Sequence, residues 1–152
     1  MTNDKPCILI VEDDANIRET LSTILQQKGY KTDAAKNGQE AIQKSKAKFF
    51  NMVLLDIKLP DMEGTKLLTT MHKDQPKMMK IMITGYPSVE NAVEALNLGA
   101  DAYIIKPVKP EKLLALIKEK LDEQSQAEKM TEEKVTEWVK TRVRKLEDDS
   151  KQ

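Results

Sequence analysis

Asp13, Asp14, Asp56, Thr84 and Lys106 are the residues of this 152-residue chain whose types and placement point to chemistry. Each stands where a short apolar run stops and a loop begins, in CILIVEDD, NMVLLDIKLPDMEG, MKIMITGYPS and DAYIIKPVKP. If these runs are parallel strands of one sheet, their C-terminal ends share an edge, where open α/β sheets place their ligand sites. Three carboxylates, a hydroxyl and an ammonium gathered there suit a divalent cation and a phosphoryl group. A carboxylate such as Asp56 at a strand end can act as a nucleophile and form an aspartyl phosphate. Because an anion must then attack an anionic group, charge compensation is required. Mg²⁺ supplies it through one or two carboxylates, waters and the phosphate oxygens. Asp13 and Asp14 suit the metal, Lys106 pairs with a phosphoryl oxygen as a point charge, and the Thr84 hydroxyl donates to another. Glu12 precedes Asp13 and Asp14, and if it belongs to the strand it should point to a face of the sheet rather than to this edge.

Taken singly, each of these residues is ordinary. A strand-end Asp is usually a turn former or cap, and Asp14 has a capping role open to it at the helix beginning near Ala15. Their coincidence at successive strand ends carries the reading.

The elements that must position them alternate strictly. Runs of Ile, Val and Leu at 7–11, 52–55, 80–83 and 102–105 read as strands buried on both faces, with a weaker strand KTDAA at 31–35. Between them lie helical stripes. Ile17, Leu21, Ile24 and Leu25 form one, stopped by Gly29; Asn37 with Glu40 resembles a capping box for a helix over 38–47. Leu67, Leu68 and Met71 mark a helix from Gly64. Ser88 caps a helix with Val89, Ala92, Val93 and Leu96 inward, ended by Gly99. Pro110 opens the last, with Leu113, Leu114, Leu116, Ile117 and Leu121 buried. Five strand–helix units in alternation predict a parallel sheet with helices on both faces and right-handed crossovers.

Composition narrows the function classes. Basic and acidic residues balance at 25 each, so no net field recruits nucleic acid or an anionic membrane. No run approaches the ~20 apolar residues that span a bilayer, and the polar start MTNDKP has no signal-peptide core; a cytoplasmic location is expected. Cys7 is the only cysteine and His72 the only histidine, which argues against a disulfide or a zinc site. A flavin or nicotinamide site needs a Gly-rich loop after the first strand, and EDDAN has no glycine.

The chain resembles the receiver domain of two-component response regulators. The resemblance rests on Asp13–Asp14 after ILIVE, Asp56 followed by IKLPDMEG, Thr84–Gly85, and GADAYIIKP ending in Lys106–Pro107, and it covers roughly residues 6–122. It implies a flavodoxin-like, doubly wound five-stranded parallel sheet in the order 2-1-3-4-5. It further implies that a sensor histidine kinase phosphorylates Asp56, with Mg²⁺ on Asp13, Asp14, Asp56 and the backbone carbonyl of Lys58. Thr84, Gly85 and Lys106 would meet the phosphoryl group, Gly85 because a side chain there would block access. Thr84 and Tyr103 would form the switch, altering the face made by the fourth and fifth helices and the fifth strand. Lys58 and Tyr86 would tune the phosphoryl lifetime, and Lys106–Pro107 would be a cis peptide. The only catalysis expected is phosphorylation and dephosphorylation of its own aspartate. The alternatives are a phosphate-relay intermediate or a receiver-like scaffold that is never phosphorylated and acts through its C-terminal helix. A haloacid-dehalogenase-like phosphatase would need an Asp where Lys58 stands.

Residues 1–122 thus read as the receiver and 123–152 as an extension without a core of its own, its roughly 30 residues falling below the ~40 that usually fold alone. DEQSQAEKM reads as a linker or a continuing helix. A helix then follows, with Thr131 as N-cap and Met130 against Val135 as a staple. Val135, Trp138, Val139, Val143 and Leu146 fall near one face, fit either to fold back or to meet a partner helix or a second copy of the chain. KTRVRK is interrupted by apolar residues and followed by EDD, which favours a solvated helix end over a nucleic-acid contact.

Overall fold

The computed structural model describes residues 5–85 and 88–150. Five strands and five helices alternate as β1 (Cys7–Val11), α1 (Ala15–Gln27), β2 (Lys31–Ala35), α2 (Gly38–Ala47), β3 (Met52–Asp56), α3 (Gly64–Asp74), β4 (Met79–Thr84), α4 (Val89–Asn97), β5 (Ala102–Ile105) and α5 (Pro110–Ser150). The strands form one parallel sheet in the order β2-β1-β3-β4-β5, the doubly wound arrangement the resemblance implied. Val11 pairs with Leu55, Asp56 with Ile83, and Thr84 with Ile105, so the C-terminal ends of the central strands meet at one edge.

Strand alternation divides the interior in two. Leu9, Val11, Val53, Leu55 and Met82 face Ala41 of α2, Leu67, Leu68 and Met71 of α3, and Ala95 of α4. Ile8, Ile10, Leu54, Ile81 and Ile83 face Leu21 and Leu25 of α1 and Leu113 and Ile117 of α5. The expected caps form. Asn37 accepts from the Glu40 N–H at 2.8 Å and Ser88 from that of Asn91 at 3.0 Å. Gly29 and Gly99, at φ +91° and +112°, take the left-handed conformation that ends α1 and α4.

Two expectations change. In α4 the buried residue is Ala95, whereas Val93 and Leu96 are 51% and 53% exposed; α4 turns its small residues to the sheet and its large ones to solvent. Val89's side chain lies outside the described set. Of the two readings open for DEQSQAEKM, the structure takes the continuing helix: the separate helix start expected at Thr131 is absent, for one helix runs to Ser150. Thr131 sits inside it, its hydroxyl donating back to the Ala127 carbonyl at 3.0 Å, so it caps nothing, and with no helix start there the Met130–Val135 staple has no role. Gln124 is the last buried residue of α5; every residue from Ser125 to Leu146 is exposed. Among the described residues no helix is long and apolar enough to cross a membrane.

Candidate functional site

The loops leaving β1, β3, β4 and β5 meet at the C-terminal edge, and Asp56 stands at their centre, 7% exposed. The Lys106 ammonium reaches its Oδ2 at 2.7 Å and the Glu12 Oε2 at 3.3 Å. The Lys58 N–H donates to Asp56 Oδ1 at 3.3 Å. Thr84 is fully buried at the end of β4, and its carbonyl accepts from the Lys106 N–H at 2.7 Å, holding β5's exit against β4. Lys106–Pro107 is cis, as expected. The electrostatics follow from burial and partners. Burial pulls the Lys106 ammonium down, but the Asp56 carboxylate and then that of Glu12 outweigh it, and the net shift is upward. Glu12 is raised, first by burial, with Lys106 opposing and the Asp56 charge adding to the rise.

Glu12 corrects the sequence reading. Strand β1 ends at Val11, and the 4%-exposed Glu12 lies in the site with Lys106. The acidic residue beside Asp56 is Glu12, and Asp13, which follows it in the chain, is exposed. The Asp14 Oδ1 accepts the Ile17 N–H at 3.0 Å as the N-cap of α1, the ordinary role open to it. Gly85 borders open space, since a methyl group there would meet only the Lys106 side chain, at 3.9 Å. Tyr103 packs against the core under α3 and α4, its hydroxyl buried with no hydrogen-bond partner. Tyr86 lies outside the described residues.

Sequence reasoning also missed Gly64 and Asp61. A methyl group on Gly64 would collide with the Asp56 backbone carbonyl, so only glycine lets α3 start against the end of β3. Asp61 accepts from the Gly38 and Gln39 N–H groups at 2.8 and 2.9 Å, pinning the loop after β3 to the start of α2. Those bonds hold its carboxyl below the usual range. Both residues stand in the LPDMEG run, where spacing after Asp56 was the available signal.

Beside the site a groove of about 640 Å³ runs between α1 and the start of α5, lined by Ile17, Leu21, Val108 and Leu113 and reaching Glu12, Asp56 and Lys106. As for a cation, no three acidic or imidazole side chains converge among the described residues. Mg²⁺ does not need three, because it takes one or two carboxylates and completes its shell with water and phosphate oxygens. Asp56 and Asp13, hard oxygen donors at neighbouring strand ends, fit that demand.

A doubly wound 2-1-3-4-5 sheet with a carboxylate answering a lysine across its C-terminal edge defines a receiver module of two-component signalling. The chain belongs to the response regulator receiver domain family, whose model matches residues 8–118. It is 39% identical over 118 residues to the regulatory protein AtoC of Escherichia coli K12, covering 78% of this chain and 26% of that protein. It is 36% identical over 121 residues to the transcriptional regulatory protein ZraR of Klebsiella oxytoca, covering 80% and 27%. The chain therefore spans about a quarter of the length of these curated relatives. Among solved structures, a CheY-like receiver domain protein from Methanospirillum hungatei JF-1 superposes with a TM-score of 0.80 at 53% identity, over 82% of this chain and 99% of that one. The chain is thus a receiver domain of two-component response regulators, which is consistent with a phosphorylation-activated signalling switch; the class works with a phosphodonor kinase and downstream targets and generally uses Mg²⁺ for phosphorylation.

Proposed function

We propose that Asp56 is the phosphoacceptor and that a sensor histidine kinase is the donor. The observation that carries this is the Asp56 carboxylate, 7% exposed at the sheet edge and 2.7 Å from the Lys106 ammonium. An Oδ–P bond forms as the P–N bond of the donor phosphohistidine breaks, and the imidazole leaves. Asp13, Asp56 and the backbone carbonyl of Lys58 would hold Mg²⁺, which supplies charge compensation for the transferred group. Asp14 keeps its capping role. Lys106, already bridging Asp56 and Glu12, follows the new negative charge, and the Thr84 hydroxyl donates to a phosphoryl oxygen. The apolar groove beside Asp56 gives a donor helix a place to dock.

The readout runs through Thr84 and Tyr103. A buried hydroxyl without a partner is unfavourable by about 1–3 kcal/mol, so the Tyr103 side chain has an incentive to move when Thr84 does. Val93, Leu96 and Ile105, each about half exposed, supply apolar contacts for a target on the α4–β5–α5 face. Lys58 and Tyr86, two positions beyond Asp56 and Thr84 in the sequence, set the phosphoryl lifetime; in Tyr86→Ala the hydrolysis rate rises.

Acetyl phosphate with Mg²⁺, read by intact mass, tests the assignment. One phosphoryl addition is expected in the wild type and none in Asp56→Asn. An addition that survives Asp56→Asn overturns it.

A further inference from the structure

The face of α5 that seats on the sheet does not stop where the sheet stops. Leu113, Ile117, Leu121 and Gln124 lie on one line of the helix, and Val135, Val139, Arg142 and Leu146 continue it, with Trp138 alongside. The first set is covered by β-strands and loops. The second is bare: Val135 is 56% exposed, Trp138 63% and Leu146 68%. The 22 residues from Ser125 to Leu146 extend the helix by about 33 Å at ~1.5 Å per residue. Helices draw most of their stability in water from packing an amphipathic face, and here that face lacks cover within the chain. The charge on the stripe, Arg142, lies over the Trp138 ring at 5.5 Å, so it does not break the apolar surface.

Charge along the same segment says what covers it. Residues 128–137 carry Glu128, Glu132, Glu133 and Glu137 against two lysines, whereas 138–146 carry Lys140, Arg142, Arg144 and Lys145 and no acid. Two copies side by side in parallel would set base against base. Reversing one copy sets the acidic half against the basic half, twice over by symmetry. The heptad positions of the stripe agree. With Val135 against Trp138 of the second copy, Lys145 comes level with Glu128, and Arg142 with Thr131 and Glu132. The acidic residues 147–149 come level with the stretch from 124 to 126, which carries no charge.

We propose that the extension of α5 is a self-association element, in which residues 128–146 pair antiparallel with the same segment of a second copy of the chain. Trp138 and Val135 form the centre of the contact, and the receiver bodies lie at opposite ends. This does not depend on phosphorylation of Asp56, so it is tested without a phosphodonor.

Light scattering of the full chain at tens of micromolar is expected to give the dimer mass. Trp138→Glu, at an exposed position that leaves the receiver core untouched, raises the dissociation constant about 30-fold or more, the scale of losing one central aromatic anchor. Orientation is read by oxidation of cysteine variants, with Cys7 buried in β1. Glu128→Cys mixed with Lys145→Cys yields a covalent heterodimer, while neither variant cross-links to itself. A monomer throughout, a dimer indifferent to Trp138→Glu, or self-linking of Lys145→Cys each overturns the proposal.

Discussion

Lys80 and Lys106 come from neighbouring strands and are both drawn out of water, yet they sit at opposite ends of the sheet and behave in opposite ways. Lys80, at the N-terminal end of β4, is fully buried, its ammonium donating to the Gln75 and Met78 carbonyls at 2.8 and 2.6 Å. Burial lowers it, with the Asp101 charge opposing. Lys106 feels the same pull from burial, but two carboxylates reverse the sign. The difference lies in the partners. A backbone carbonyl is a fixed dipole, so Lys80 has nothing to respond to. A carboxylate that accepts a phosphoryl group, as proposed for Asp56, changes its charge, and Lys106 is placed to respond. Around Lys80 the polar groups interlock: Gln124 donates to the Asn51 and Lys77 carbonyls at 2.9 Å each, and Asp101 accepts from the Lys80 N–H at 2.8 Å. One end of the sheet is a satisfied clasp, the other a site held in tension for charge to arrive.

If that division is real, substitutions at the two ends separate stability from phosphorylation. Lys80→Ala removes a fully buried side chain and takes the ammonium from the Met78 carbonyl and from the Gln75 carbonyl, which keeps only the Met78 N–H, so urea denaturation should show a loss of about 3–5 kcal/mol, with phosphoryl uptake by the folded fraction unchanged. A slower uptake would show the two ends to be coupled. Gly64→Ala forces α3 away from the Asp56 carbonyl and costs about 1–3 kcal/mol as overpacking. Here acetyl phosphate uptake should fall as well, because the displaced backbone is that of Asp56. Gln124→Ala removes the α5 donor to the Asn51 and Lys77 carbonyls, of which Asn51 keeps the Met79 N–H, and costs about 1–2 kcal/mol, again with uptake intact.

Much of this was legible beforehand because it is local. Runs such as CILIV and MVLL have no polar position to give water and read as central strands of a parallel sheet, and Asn37, Ser88, Gly29 and Gly99 mark helix ends by their own chemistry. Asp56 and Lys106 were found because a charge at the end of such a run is conspicuous. Glu12 was missed because its role depends on a lysine 94 residues away, which strand parity cannot see. Val93 and Leu96 were placed inward by hydropathy alone, although the close approach of α4 to the sheet admits Ala95 in their stead. Gln124 and Lys80 are polar residues buried by tertiary partners and carry no local mark. Thr131 resembles an N-cap, but no glycine or proline interrupts the chain between Pro110 and Ser150, and the helix passes through it.

Glu12 offers the finest test of the comparison, and the smallest effect. Its carboxyl is raised above 4.5, chiefly by burial and also by the Asp56 charge, against the pull of Lys106. An acid that holds its proton more tightly folded than unfolded favours the folded state below its unfolded pKa and loses that contribution as pH rises through the folded one. At neutral pH the ionised Glu12 therefore weighs against the fold, and Lys106 only partly offsets it. Glu12→Gln keeps the shape and an acceptor for Lys106 while removing the charge. It is expected to make the protein slightly more stable than wild type at pH 7, by less than Gln124→Ala takes away, with the advantage shrinking as pH is brought below 4.5. Lys106 works in the other range: its raised ammonium contributes stability that is lost only as pH climbs above 10.5. Urea midpoints of the two proteins between pH 4 and pH 8 decide the matter. A gap that stays constant over that range would mean Glu12 is not held in tension by burial and Asp56, and that the active edge is as fully satisfied as the Lys80 clasp.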